Sequence, residues 1–149
     1  MNERNLNRIT FMGTPPFYFL LSLPLLLFST RIFLVYYVSI LATEIVCAVI
    51  KLLTRTDRPT PRKRVTLYDA YDASTFPSAH TARIASNTSI IALCFWSLPL
   101  AAFALVLTLA VAYSRVGLKH HFLVDVLVGA VVGVAISALT FFWLFPGSP

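Results

Sequence analysis

The sequence predicts an all-α protein: a polytopic transmembrane helix bundle of about five spans, with the functional site at one membrane interface. Hydrophobic residues make up 58% of the 149 residues and charged residues only 12%, and the mean hydropathy is +0.79. Soluble globular proteins contain about 45–50% apolar residues and about 25% charged residues, so the composition excludes a cytosolic globular protein. The length fits one membrane-embedded domain, residues 1–149.

Five nearly uncharged runs define the predicted spans, because a helix needs about 20 apolar residues to cross the hydrocarbon core. Glu44 interrupts the second run, and Arg31 marks the turn before it. The run 84–114 would form one helix about 46 Å long, which overshoots the membrane, so we expect Pro99 to divide it into two spans. The predicted spans are 9–30, 32–50, 78–97, 99–115 and 126–145.

The polar residues concentrate in two connections, 54–76 and 115–121. Five spans put both connections and the N-terminus on one face of the bilayer, and Arg31, the Pro99 turn and the C-terminus on the other. The chain has 12 Lys and Arg against 6 Asp and Glu, a net charge of +6. Basic clusters of this kind suit phosphates or anionic lipid headgroups. We expect anionic lipid to contact the basic run Arg62, Lys63 and Arg64.

Two features inside the spans bear on helix packing. Gly129, Gly133 and Ser137 recur at four-residue spacing on the last span, which predicts the close approach of a neighbouring helix. Glu44 places a carboxylate within a span, where ionisable groups are often functional. Lys51 lies seven residues further along the same helix face and could pair with it indirectly. A structural and a functional role for Glu44 both stay open.

Three polar islands on the shared face, 51–59, 76–80 and 114–125, combine features of an anion-binding site. Lys51, Arg58 and Arg115 supply fixed positive charge, and the two arginines offer planar guanidinium groups that match phosphate oxygens. Ser78 follows a proline at the start of a predicted helix, where backbone N–H groups and the helix dipole favour a bound anion.

The same islands contain groups suited to acid–base and nucleophilic chemistry. Asp125 follows His121 by four residues, the spacing that puts two side chains on one helical face. A carboxylate beside an imidazole fixes its tautomer and leaves the other ring nitrogen free to react. His80, from a different helix, supplies a second proton-transfer group. We favour His121 over the neighbouring His120 as the reactive histidine because only His121 has the carboxylate four residues on.

Together the islands resemble the type 2 phosphatidic acid phosphatase superfamily of integral-membrane lipid phosphatases, soluble acid phosphatases and vanadium haloperoxidases. Its signature is Lys-x6-Arg-Pro, Pro-Ser-Gly-His and Ser-Arg-x5-His-x3-Asp, in that order. All three spacings hold over residues 44–135, and the one departure is Ala79 in place of glycine. The matching residues are Lys51, Arg58, Pro59, Pro77, Ser78, His80, Ser114, Arg115, His121 and Asp125.

The resemblance implies a two-step phosphoryl transfer. His121 would attack phosphorus and form a phosphohistidine, Asp125 would orient His121, and His80 would protonate the leaving oxygen and then activate water. The Ala79 N–H could still donate to phosphate, although its Cβ restricts close approach. The phosphate-binding residues would be Lys51, Arg58, Ser78, Ala79 and Arg115.

The resemblance also implies a substrate class, a membrane lipid phosphate: undecaprenyl diphosphate, phosphatidylglycerol phosphate, phosphatidic acid or the 1-phosphate of lipid A. We expect no nucleic-acid partner and no metal or other cofactor. Asp57, Asp69 and Asp72 share one loop, but their spacing fits no metal-ligand pattern. The alternatives are a lipid phosphotransferase with the same intermediate, a non-catalytic protein that binds lipid phosphates, and, least favoured, a haloperoxidase. The sequence predicts no oligomeric state.

The sequence gives two opposed indications of sidedness. The positive-inside rule would make the basic face cytoplasmic. A phosphate site needs positive charge on either side, however, and the resemblance to bacterial lipid phosphatases favours the extracytoplasmic, periplasmic face of the cell membrane. Our expectation is therefore a multi-pass protein of the inner or plasma membrane with a periplasmic site.

Overall fold

In the part of the chain that it describes, residues 2–60, 63 and 65–145, the computed structural model contains seven α-helices and no strand. The predicted all-α class is therefore confirmed. Arg62 and Arg64 of the predicted basic run lie outside the described residues, and Lys63 is exposed. The helices are α1 (Glu3–Phe11), α2 (Pro15–Phe28), α3 (Thr30–Thr54), α4 (Leu67–Ala73), α5 (Ala79–Cys94), α6 (Leu98–Gly117) and α7 (Leu123–Leu144).

The protein is a membrane protein by the length and hydropathy of its helices, but five spans are not confirmed. Within the described residues, α3, α6 and α7 are each long and apolar enough to cross a membrane, and α1 with α2 passes the same test as one pair bent by 43°. The predicted first span is divided because Thr14 starts a new helix with prolines in its first turn. Helix α5 has 16 residues, about 24 Å of helix, which is shorter than the hydrocarbon core.

The predicted division of the long apolar run is confirmed. Helix α5 ends at Cys94, and Ser97 caps α6 by accepting a hydrogen bond from the Leu100 N–H at 3.3 Å. Pro99 lies in the first turn of α6, where its missing N–H has no intrahelical partner to lose. Proline therefore starts the next helix and the chain reverses direction.

Helix α5 is the centre of the bundle, packed against α3, α6 and most extensively α7. The predicted glycine stripe lies in the α5–α7 contact. A Cβ on Gly129 would approach the Ser78 carbonyl oxygen to 2.6 Å, and a Cβ on Gly133 would approach the Ser86 nitrogen to 2.9 Å. Glycine lets the two backbones touch, as the spacing predicted.

A buried cluster of hydroxyl groups joins α3, α5 and α7 at this contact. The Ser86 hydroxyl lies 2.9 Å from that of Ser39, and Thr43 donates to it at 3.0 Å. The Ser137 hydroxyl donates to the Ser86 carbonyl oxygen at 2.9 Å. These bonds satisfy polar groups that water cannot reach, and they fix the relative positions of the three helices.

The end of α3, the start of α5, the end of α6 and the start of α7 meet at one end of the bundle. The Ser78 N–H donates to the Asp125 carbonyl oxygen at 2.9 Å, which ties the start of α5 to the start of α7. The hydroxyls of Thr10 and Ser114 are 2.8 Å apart, so α1 also lies at this end. The arrangement matches the predicted common face of the N-terminus and the two polar connections.

The opposite end is closed by Arg31 and aromatic rings. The Arg31 guanidinium donates to the Leu144 carbonyl oxygen at 2.7 Å and lies 4.1 Å from the ring centroid of Phe145. Trp96, in the turn after α5, packs edge-on against Phe141 of α7 at 5.9 Å. The turn after α5 and the end of α7 therefore share this end with Arg31, again as predicted.

Replacement of Gly133 by alanine should destabilise the protein, because the new methyl group meets the α5 backbone rather than a flexible side chain. Overpacking of about 1–3 kcal/mol would lower the unfolding temperature in detergent by about 3–10 °C. Gly117→Ala is the matched control, since its Cβ would meet only the terminal methyls of Leu6, at 3.3–3.4 Å. Equal unfolding temperatures for the two variants would contradict a tight α5–α7 contact.

Candidate active site

The residues of the three islands lie together at the end of the bundle where α3, α5, α6 and α7 meet. Lys51 is in the last turn of α3, Arg115 is in the last turn of α6, and Asp125 is in the first turn of α7. Arg58 follows α3, and His121 precedes α7. All five side chains are buried, and their charges interact across the site.

His121 is held from its Nδ1 side. Its Nδ1 lies 3.6 Å from Asp125 Oδ2 and 3.1 Å from the Thr75 hydroxyl, and Thr75 also donates to Asp125 Oδ2 at 2.5 Å. The same carboxylate oxygen accepts from the Phe122 N–H at 2.7 Å, which caps the start of α7. The other ring nitrogen of His121, Nε2, is therefore the one left for chemistry.

The cationic groups are held by the segment that contains α4. The Lys51 ammonium donates to the Ser74 carbonyl oxygen and lies 5.5 Å from the ring centroid of Tyr71. The Arg58 guanidinium lies 3.5 Å from the Asp72 carboxylate. These contacts hold the buried positive charges of Lys51 and Arg58 in fixed positions, where they could bind the oxygens of a phosphate.

The start of α5 supplies the second motif. Ser78 is the N-cap of the helix, its hydroxyl lies 3.1 Å from that of Thr81, and its N–H is taken by the Asp125 carbonyl oxygen. The N–H groups of the first turn that remain available to a bound anion therefore begin at Ala79. His80, in the same turn, is half-buried and interacts electrostatically with Arg115 and His121.

Burial lowers the pKa of His121 to about 4, and the positive charges of Arg115, Lys51 and Arg58 act in the same direction. The nearby Asp125 carboxylate opposes this shift. The imidazole is therefore neutral at neutral pH, so a ring nitrogen retains the lone pair that a nucleophile needs.

A family model described as the PAP2 superfamily matches residues 17–147. The chain belongs to the PAP2 superfamily. Members of this superfamily are generally phosphatases, which supports phosphatase-type activity for the site. Comparison with curated proteins found no match, and comparison with solved structures found none either.

The departure from the PAP2 signature at Ala79 has a simple structural setting. Ala79 is the first residue of α5 and has helical backbone geometry, so the position needs no glycine conformation. Its methyl group packs in a small buried cluster with Cys47 and Ala82. The Ala79 methyl group therefore contributes to the packing between α3 and α5.

The acidic residues of the 54–76 connection have structural partners. Asp69 belongs to the capping box of α4 with Thr66, and these hydrogen bonds lower the pKa of its carboxyl group. Asp72 faces Arg58. Among residues 2–60, 63 and 65–145, no group of three His, Cys, Asp or Glu side chains has a geometry that could hold a metal ion.

Glu44 forms an ion pair with Arg83 across α3 and α5. The Arg83 Nη2 donates to a Glu44 carboxylate oxygen at 3.0 Å and to the Tyr71 hydroxyl at 3.3 Å, and Nε donates to the other carboxylate oxygen. Among the side chains around this ion pair, Lys51 contacts the ring of Tyr71. The carboxylate that Glu44 places within a span is therefore paired with Arg83, and this ion pair gives Glu44 a structural role.

Sequence reasoning missed two residues in or near the PAP2 site. Thr75 bridges His121 and Asp125, yet it lies two residues before the Pro-Ser-x-His motif and outside the signature. Arg83 follows His80 by three residues, on the same face of α5. A charge within a predicted span was the available signal for Arg83, whereas Thr75 gave none.

Proposed function

We propose that this PAP2 superfamily protein hydrolyses a phosphomonoester or diphosphate on a membrane lipid through a phosphohistidine at His121. The observation that carries the proposal is the burial of a neutral histidine among Lys51, Arg58 and Arg115, with Nδ1 engaged and Nε2 left for attack. A phosphate bound there would meet fixed positive charge and the N-terminal turn of α5.

In the first step, the lone pair of His121 Nε2 attacks phosphorus and the bond from phosphorus to the lipid oxygen breaks. The negative charge of the bound phosphate favours the imidazolium form of His80, which gives its proton to that oxygen, so the lipid leaves as an alcohol, or as a monophosphate when the substrate is a diphosphate. Lys51, Arg58 and Arg115 stabilise the charge that develops on the equatorial oxygens, which is where most catalysis of phosphoryl transfer arises.

In the second step, a water molecule attacks the phosphohistidine and the bond from phosphorus to nitrogen breaks. Neutral His80 accepts a proton from that water, which restores the imidazolium needed for the next cycle, and His121 recovers its lone pair. Inorganic phosphate is released. The two steps use only side chains and water, so we propose that the reaction requires no metal ion.

The substrate class follows from the position of the site at one end of a bundle of apolar helices. A lipid can keep its tail in the bilayer while its phosphate reaches the interface. Undecaprenyl diphosphate, phosphatidylglycerol phosphate, phosphatidic acid and the 1-phosphate of lipid A all satisfy this geometry. We place the protein in the inner or plasma membrane, with a role in lipid metabolism of the cell envelope.

The purified protein should release inorganic phosphate from a panel of these four lipids in detergent and EDTA. His121→Ala should abolish release, with a loss of at least about 1000-fold, because the nucleophile is gone. His120→Ala is the matched control: it removes the neighbouring imidazole and should retain most of the activity. Phosphate release is measured colorimetrically, and the ranking of lipids identifies the preferred substrate.

Four outcomes would overturn the proposal. Loss of activity in EDTA with recovery on addition of a divalent metal would contradict the metal-independent mechanism. Full activity of His121→Ala would exclude the phosphohistidine. Lipid phosphate binding without release by folded wild type would favour a binding protein, and release only as a phosphorylated acceptor alcohol would favour a phosphotransferase.

The site should face the periplasm. A Lys63→Cys substitution in a background with Cys47 and Cys94 replaced by alanine should react with a membrane-impermeant thiol reagent in intact bacterial cells. Arg31→Cys, which is exposed at the opposite end of the bundle, should be protected in the same cells and serves as the control. Protection of position 63 with labelling of position 31 would establish a cytoplasmic site instead.

A further inference from the structure

We propose that Thr75 is a positioning residue whose hydroxyl carries the hydrogen-bond link between His121 and Asp125. The inference rests on the proposed function, because it assigns the means by which the nucleophile is oriented. The link runs from His121 Nδ1–H to the Thr75 hydroxyl and from that hydroxyl to Asp125 Oδ2. We call this arrangement the hydroxyl bridge.

The first argument is distance. His121 Nδ1 and Asp125 Oδ2 are 3.6 Å apart, which is too long for a direct hydrogen bond. The Thr75 hydroxyl lies within hydrogen-bond distance of both, at 3.1 Å from Nδ1 and 2.5 Å from Oδ2. The shortest hydrogen-bonded path between the ring and the carboxylate therefore passes through Thr75.

The second argument is the number of lone pairs on the carboxylate oxygen. Each carboxylate oxygen offers about two acceptor sites. On Asp125 Oδ2 one site is taken by the Phe122 N–H at 2.7 Å and one by the Thr75 hydroxyl. A closer approach of His121 to this oxygen would have to displace the helix cap or the threonine.

The third argument is the direction of the protons. A threonine hydroxyl has one hydrogen, which Thr75 donates to Asp125. Its oxygen can then only accept from His121, so Nδ1 must carry a hydrogen. This fixes the tautomer in which the Nε2 lone pair is free, and it lets the carboxylate stabilise the positive charge that the ring gains on phosphorylation.

The backbone holds Thr75 in position for this task. The Thr75 N–H donates to the Thr56 carbonyl oxygen at 3.0 Å, and the next N–H, of Phe76, donates to the Thr56 hydroxyl at 3.1 Å. Thr75 is 2% exposed, and its branched side chain has few allowed rotamers. The hydroxyl bridge is thus formed in advance of substrate binding.

Thr75→Val tests the inference because valine keeps the shape and burial of threonine and lacks the hydroxyl. We expect kcat to fall about 100-fold, with KM and the inhibition constant of inorganic phosphate changed less than about 3-fold, since phosphate binding does not use the bridge. Thr75→Ser, which keeps the hydroxyl, should retain kcat within about 5-fold. Thr88→Val is the control for loss of a buried hydroxyl: Thr88 bonds the Ile84 carbonyl oxygen of its own helix, away from the site.

A double variant supplies a readout that a merely structural role would not move. If Thr75 acts through Asp125, Thr75→Val combined with Asp125→Asn should reduce kcat no further than the more damaging single change. If the kcat losses of the two single variants multiply in the double variant, Thr75 does not act through Asp125, and the hydroxyl bridge is overturned. A Thr75→Val enzyme with unchanged kcat, a loss of kcat as large in Thr75→Ser as in Thr75→Val, or a loss confined to KM would also overturn it.

The unfolding temperature of each variant is measured in detergent alongside its activity. If Thr75→Val does not fold, Thr75→Ala replaces it with the same expectations for kcat and for inhibition by inorganic phosphate. Failure of the inference differs from failure of the proposed function: in the first case His121→Ala is inactive while Thr75→Val is active, and in the second His121→Ala remains active.

Discussion

The structure depends on the backbone contact between α5 and α7. Gly129 and Gly133 allow the contact, since a Cβ on either would strike α5, and the Ser78 N–H closes it by donating to the Asp125 carbonyl oxygen at 2.9 Å. In a bundle of apolar helices, lipid tails are as apolar as the side chains, so small residues and buried hydrogen bonds must hold the helices together. The contact sets the start of α5 directly against the helix that carries Asp125.

The segment 67–75 completes the site from the other side. Its side chains and backbone contact Lys51, Arg58 and His121 through Tyr71, Asp72, Ser74 and Thr75. A loop with this many polar contacts folds back onto the bundle because the buried cations need partners. The site is therefore built from two layers, a helix contact inside the bundle and a short helical segment packed over its end.

The sequence anticipated the parts of this arrangement that local spacing encodes. The glycine stripe and the break before Pro99 follow from helix periodicity and from proline stereochemistry, and the structure contains both. The predicted shared helical face of His121 and Asp125 is wrong, because His121 precedes the first residue of α7 and reaches Asp125 from the preceding turn.

Contacts between distant segments were not predictable in the same way. Thr75 meets Asp125 across 50 residues, which depends on how the connection after α4 folds back onto α7. Arg83 meets Glu44 across 39 residues, which depends on how α3 and α5 are rotated against each other. The division of the predicted first span at Thr14 was also missed, because the apolar length of the run alone satisfied the criterion for one span, although Pro15 and Pro16 signal the start of α2.

The central claim is that His121 carries the phosphoryl group between the two steps. Wild-type protein mixed with lipid substrate labelled on the transferred phosphate should be quenched in alkali within one turnover and digested for mass spectrometry. The account predicts a base-stable, acid-labile phosphoryl group on His121, absent from the His121→Ala protein. Phosphate attached to His120 or His80, or turnover with no phosphorylated histidine at any quench time, would contradict it.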